Sequence, residues 1–286
     1  MYRRRASALH AARAAAGCAY CAALAIVALT SDNPLVLGAT LVAVTGAGAI
    51  AGVGREMAWG ARLGLVLAVA IVVVNALVSR AGVTVVARLG ELPVFGRIDV
   101  TAEAIAYGAV QGLRALVVVE CFVLYSAAVD PDEVLRLFRR VSLRSALTAS
   151  LATRMAPVLA RDGRRMAEAQ RSLGAAGAPR GAVLRALTAG ALDRSLDVAA
   201  ALEVRGYGSV RRPPADRRPW SRHDLAFGAC ALALVAVAVG ARLAGAGRFD
   251  AYPTIALAAG APEFALAAAV VALGLAPFAA RRGIVR

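Results

Sequence analysis

The chain has 286 residues, 60% of them hydrophobic, with a mean hydropathy of +0.67 and only 18% charged. That composition excludes a disordered tail, a coiled coil and an ordinary cytosolic enzyme. The formal charge is still +15, carried by 33 basic residues, all arginine, against 18 acidic ones, and 5% aromatic content offers little for stacking on bases, so a membrane protein with basic loops leads over a nucleic-acid binder.

Crossing about 30 Å of hydrocarbon takes roughly 20 apolar residues in a helix. Six runs fit in chain order: Ala14–Thr30, Pro34–Val53, Leu63–Ser79, Ala104–Val129, Leu225–Ala241 and Phe264–Ala280. None shows the strict alternation of a strand. The first run follows Arg3-Arg4-Arg5, as a signal peptide would, but no small-x-small cleavage site separates it from the second, so it is read as a span. Cys18 and Cys21 have CxxC spacing in an alanine-rich run and read as small buried thiols; no metal site is expected.

With the N-terminus in the cytoplasm, six spans place 27 of the 33 arginines inside and 4 outside, with Arg114 and Arg242 in spans. The positive-inside rule therefore expects a multi-pass protein of the inner (plasma) membrane with both termini cytoplasmic. The chain divides into an N-terminal membrane region of four spans (residues 1–129), a cytoplasmic segment (130–224) and a C-terminal membrane region of two spans (225–286). The expected fold is all-α and polytopic.

The segment 130–224 reads as three amphipathic helices. The first opens at Asp130-Pro131-Asp132-Glu133, a capping aspartate, a proline suited to the first helical position and acids favouring the positive end of the dipole. The second runs from about Ser145 to Leu173, with a kink expected at Pro157, and stops before Gly174-Ala175-Ala176-Gly177. The third covers about Gly181–Val204 and ends at Arg205-Gly206-Tyr207-Gly208. Arg211–Pro219 is a linker. An apolar stripe with arginines and a glycine-punctuated tip suits a helix seated in a partner's groove. Amphipathic helices lying on an anionic membrane surface are the other reading.

Four stretches, in order, resemble one family: Asp32-Asn33-Pro34-Leu35-Val36-Leu37; Tyr107-Gly108 through Gln111-Gly112-Leu113-Arg114; Val129 to Leu135 continuing through Arg139-Arg140; and Arg154-Met155-Ala156-Pro157 through Glu168-Ala169-Gln170-Arg171 to Ala201–Gly208. The chain resembles the transmembrane coupling subunit (T component) of energy-coupling-factor transporters, a branch of the ABC transporters. The resemblance covers roughly 30–210. It implies two partner ATPase subunits of the ABC type, a separate substrate-binding membrane subunit (S component), and a vitamin or a transition metal as cargo. It implies two coupling helices, each ending in an Ala-Arg-Gly-like tip seated on one ATPase. Val204-Arg205-Gly206 would be the second tip. Ser172-Leu173-Gly174 would be the first, with leucine in place of arginine; Arg171 is two residues earlier, roughly 200° from the expected position around a helix.

No catalytic residues are expected. A Walker A loop needs a lysine, which this chain lacks, so ATP is expected on the partners and no cofactor on this chain. Two other classes remain: a lipid head-group transferase, which would need clustered acids at a span end, and a basic scaffold, which would bind nucleic acid with steep salt dependence. Arg114 and Glu120 in the fourth span read as structural, and Arg242 and Glu263 as solvated near the interfaces. The small residues Gly46, Gly48, Gly52 and Gly54 suggest helix packing.

Overall fold

A computed structural model describes residues 5–79, 82–92, 96–141, 143–172, 180–206, 219–245, 247, 249–250, 256–257 and 260–279. They form α1 (Ala8–Ala11), α2 (Ala14–Thr30), α3 (Pro34–Ile50), α4 (Gly54–Val78), α5 (Ala102–Ala128), α6 (Pro131–Val141), α7 (Leu143–Ser172), α8 (Arg180–Val204), α9 (Arg222–Leu243) and α10 (Ala261–Leu275), with a 3-10 turn over Ala276–Phe278. The chain divides into two compact units, Met1–Pro131 with Pro219–Arg286, and Asp132–Arg218.

In the first unit, α4, α5, α9 and the α10 segment Ala261–Phe278 are long and apolar enough to cross a membrane. α2 and α3 are apolar helices of 17 residues each, at the short end of the spanning range of about 17–25. The chain is an all-α polytopic membrane protein. α4 begins nine residues before the expected apolar run, because Gly54 to Arg62, though polar, is already helical, with Glu56 in its first turn.

Local chemistry sets the ends. Asn33 accepts from the Leu35 amide at 2.9 Å and Pro34 takes the first helical position of α3. Gly52, at φ +78°, ends α3 in a conformation that favours glycine. Ser221 and Asp224 form a capping box on α9, with bonds of 3.1 and 2.8 Å.

The contacts fix the run of each helix. Gly60 faces Val123, Gly64 faces Leu116, and Ala68 faces Gly112, so α4 and α5 are antiparallel. Arg13 meets Asp224 and Arg242 meets Thr30, so α2 and α9 are parallel. Two antiparallel strand pairs join helices at one end of the unit: β1 (Val85–Leu92) with β2 (Gly96–Thr101), and β3 (Phe249–Asp250) with β4 (Ala256–Leu257). No strand was expected there, although Val83 to Val86 and Ile98 to Thr101 are rich in β-branched residues. The opposite end carries the chain's start and its exit into 132–218.

The core sits where α2, α3, α5, α9 and α10 meet. Tyr20, Phe227 and Phe278 pack edge to face, with centroids 5.2–6.2 Å apart. Tyr20 is fully buried, and its hydroxyl donates to the Gly274 carbonyl at 2.5 Å. α4 contributes Met57 to this core but exposes Trp59, Leu65, Val66, Val69 and Val74. In water such a face would be a liability, whereas lipid covers it at no cost.

In the second unit, α6, α7 and α8 match the three expected helices within three residues at every described end. α7 is continuous through Pro157. α7 and α8 pack where Leu187 lies over Gly163, and Arg194 pairs with Asp162 at 3.0 Å.

Candidate functional site

The candidate tip lies at the end of α8. The Arg205 amide donates to the Ala201 carbonyl at 3.2 Å, which completes the last turn. The Gly206 amide then donates to the Glu203 carbonyl at 2.8 Å, and Gly206 adopts φ +74°. That left-handed step closes the helix after Arg205. Val204 is 90% exposed and Arg205 is exposed. The Arg205 guanidinium has no partner among the described residues. A planar, always-charged fork on a rigid helix end is suited to a carboxylate on another protein.

The first tip is described only at its helical side. Ser172 is the last residue of α7, exposed, with its hydroxyl donating to the Glu168 carbonyl at 3.0 Å. Arg171 lies in the same last turn. Leu173 and Gly174 lie outside the described residues. Asp130 directly precedes α6, Pro131 is its first residue, and Asp132 and Glu133 fill its first turn. Pro157 is exposed in mid-α7, and its carbonyl accepts from Arg161 Nε at 3.4 Å.

Several charged residues of the first unit turn out to be fasteners. Arg5 Nη2 meets Glu56 at 2.5 Å, tying the chain's start to α4. The Arg13 amide donates to Asp224 Oδ1 at 2.6 Å, and the Arg13 guanidinium lies 5.4 Å from the Trp220 ring. Glu263 is not simply solvated: it is buried and accepts from the Gly260 amide at 2.9 Å, capping α10. Arg242 is exposed but also bound, donating to the Thr30 carbonyl at 2.9 Å. The Arg242 contact depends on where the chain returns, 212 positions away, whereas the Glu263 cap is a local pattern three residues from Gly260 that sequence reading could have found.

Glu120 is different. It is fully buried in α5, and neither carboxyl oxygen has a partner among the described residues. Gly60 of α4 makes the room, since a Cβ there would lie 3.2 Å from Oε1 and 2.7 Å from Val123. Gly46 and Gly48 do pack against other side chains, Leu275 and Met57, while nothing lies near Gly54. The glycines at the α4–α5 interface are instead Gly60, Gly64, Gly108 and Gly112, which small-residue spacing did not single out. All four cysteines are free thiols, with Cys21 and Cys121 buried.

The comparison with known families decides the broader question. Residues 5–215 match the cobalt transport protein family, CbiQ. The chain belongs to that family. The match covers most of the chain and includes α2 to α8, so both the apolar helices and the segment with the candidate tips fall within it. No curated protein matches the chain. As a CbiQ family member it is a membrane component of a transport system, in agreement with the resemblance read from Asp32 to Gly208.

Proposed function

We propose that this CbiQ family protein is the energy-coupling T component of an ECF-type ABC importer. Two ABC-type ATPase subunits seat on the ends of α7 and α8. Closure of the ATPase dimer moves these helices, and the motion passes to a substrate-binding S component that releases a vitamin or a transition metal inside the cell. The chain itself is non-catalytic, and ATP is bound by the ATPases. It lies in the inner membrane with residues 130–224 and both termini in the cytoplasm and makes no use of nucleic acid. The distribution of arginine, 27 of 33 on the cytoplasmic side of this topology, supports that orientation.

One observation carries the reading: the exposed, glycine-capped end Val204-Arg205-Gly206, with its guanidinium held out and unpaired among the described residues. A scaffold that bound an anionic surface would spread its arginines evenly. Here one sits at a helix end next to a 90% exposed valine, a charged and an apolar contact side by side. The test is Arg205→Glu in the full chain, followed by co-purification of the ATPases from membranes. Reversing a charge inside an interface costs several kcal/mol, so association falls by about tenfold or more. Arg185→Glu, on the side of α8, leaves association within about twofold, as for a solvated charge. Equal losses from both substitutions would remove the meaning given to the tip. Leu173→Glu produces a smaller loss, because a first tip with leucine has no ion pair to lose.

A further inference from the structure

The end of the first unit that bears the strand pairs holds a polar cluster that coupling, as described so far, does not use. α2 stops at Thr30, and the carbonyls of a last helical turn have no partner within the helix. Here arginines from two other helices reach them. Arg114 of α5 donates from Nε to the Ala28 carbonyl at 3.2 Å and from Nη2 to the Ser31 carbonyl at 3.0 Å. Nη2 also meets Asp32 Oδ1 at 2.6 Å, and Nη1 donates to Gln111 Oε1. Gln111 in turn donates to the Tyr107 hydroxyl at 2.8 Å. From α9, Arg242 donates to the Thr30 carbonyl at 2.9 Å and stands 3.7 Å from Asp32 Oδ2. The Arg114 side chain is 18% exposed, against 64% for Arg242, so Arg114 is the stronger tie.

The two helices that supply these arginines are the two that flank the segment 132–218. α5 runs into it and α9 receives the chain from it. We infer that Arg114 is a positioning residue for coupling: it fixes the axial register of α5 on α2, so that force arriving through α5 tilts this helix and does not slide it. The inference rests on the coupling reading above.

The physical case is one of direction. Two apolar helices in lipid slide past each other at little cost, because lipid or the next side chain fills the place each side chain leaves. Hydrogen bonds do not slide in this way. A slip of one residue moves Arg114 by about 1.5 Å along the axis, far beyond the few tenths of an ångström over which a charged hydrogen bond keeps its strength. Arg114 bonds to carbonyls three residues apart and to Asp32 beyond them, so no neighbouring register satisfies the fork. Lysine, a point charge, would keep the Asp32 pair but not the bonds to both carbonyls.

The test uses the chain purified with its ATPase partners and carrying encoded spin-labelled amino acids at Leu29 of α2 and Ile105 of α5, both exposed. The label distance is read without nucleotide and after trapping with ATP and vanadate. In the wild type the distance is the same in both states. In Arg114→Ala trapping shifts it by about 1.5 Å or more, one helical step. Asp32→Asn, which leaves the carbonyl bonds in place, shows a smaller shift in the same direction and serves where Arg114→Ala assembles poorly. A distance that changes on trapping in the wild type overturns the inference, as does one that stays fixed in both variants. A role confined to stability would lower the yield of complex with no nucleotide-dependent shift. Failure of any ATPase to co-purify would overturn the coupling reading and this inference together; a complex that forms with the register unaffected by Arg114 overturns this inference alone.

Discussion

Glu120 is the residue whose chemistry fits its surroundings least. An acid buried in a span, with no partner for either oxygen among the described residues, carries the full cost of leaving water, which a close-packed apolar side chain would avoid. Glu120→Met is therefore expected to raise stability in detergent by about 1–3 kcal/mol, read as a higher midpoint of thermal unfolding. A fall of similar size would mean that Glu120 has a partner in the folded state. Arg114 and Glu120 both stand out in the sequence as charges in an apolar run, and only their surroundings separate them. Arg114 reaches three carboxyl and carbonyl partners on another segment, and Glu120 reaches none among the described residues. Spacing on one helix could exclude an Arg114–Glu120 pair, but it could not find Asp32, 82 positions away in the chain.

Apolar length and capping chemistry made the helices legible at the scale of elements. Ala14–Thr30 agrees at both ends with the expected run, and α5 and α9 agree within three residues. The misses have separate causes. α4 starts early because Arg55, Glu56 and Arg62 are polar residues on a helix that begins before its apolar stretch. The α4–α5 interface was hidden because Gly60, Gly64, Gly108 and Gly112 matter only when the two helices face each other. There, a Cβ on Gly112 would lie 2.8 Å from the Ala68 carbonyl oxygen, and one on Gly108 would lie 3.0 Å from the Val72 Cα. Backbone cannot move aside as a flexible side chain can. Gly112→Val thus forces α4 and α5 apart and costs about 1–3 kcal/mol, as overpacking does. Gly240→Ala meets nothing within 4 Å and is neutral or slightly stabilising, since alanine favours helix over glycine by about 1 kcal/mol. Thermal unfolding of the two variants in one detergent compares them directly; equal midpoints would mean that the α4–α5 contact is not tight in the folded protein.

At the scale of the whole molecule, the CbiQ family match and the apolar helices describe one membrane component of a transport system. The end of α8 at Gly206 was legible because glycine closes a helix in a way that sequence records. The tie from Arg114 to the end of α2 was not, because it depends on which helices are neighbours. The central claim is that this chain works between ATPases and a substrate-binding membrane subunit. The most direct measurement is purification of the tagged chain from its native membranes in mild detergent, with mass spectrometry of the proteins that co-elute. The account predicts two ATPase subunits with Walker motifs together with a small, very hydrophobic protein. Recovery of this chain alone, under conditions that keep other ABC complexes intact, would contradict it.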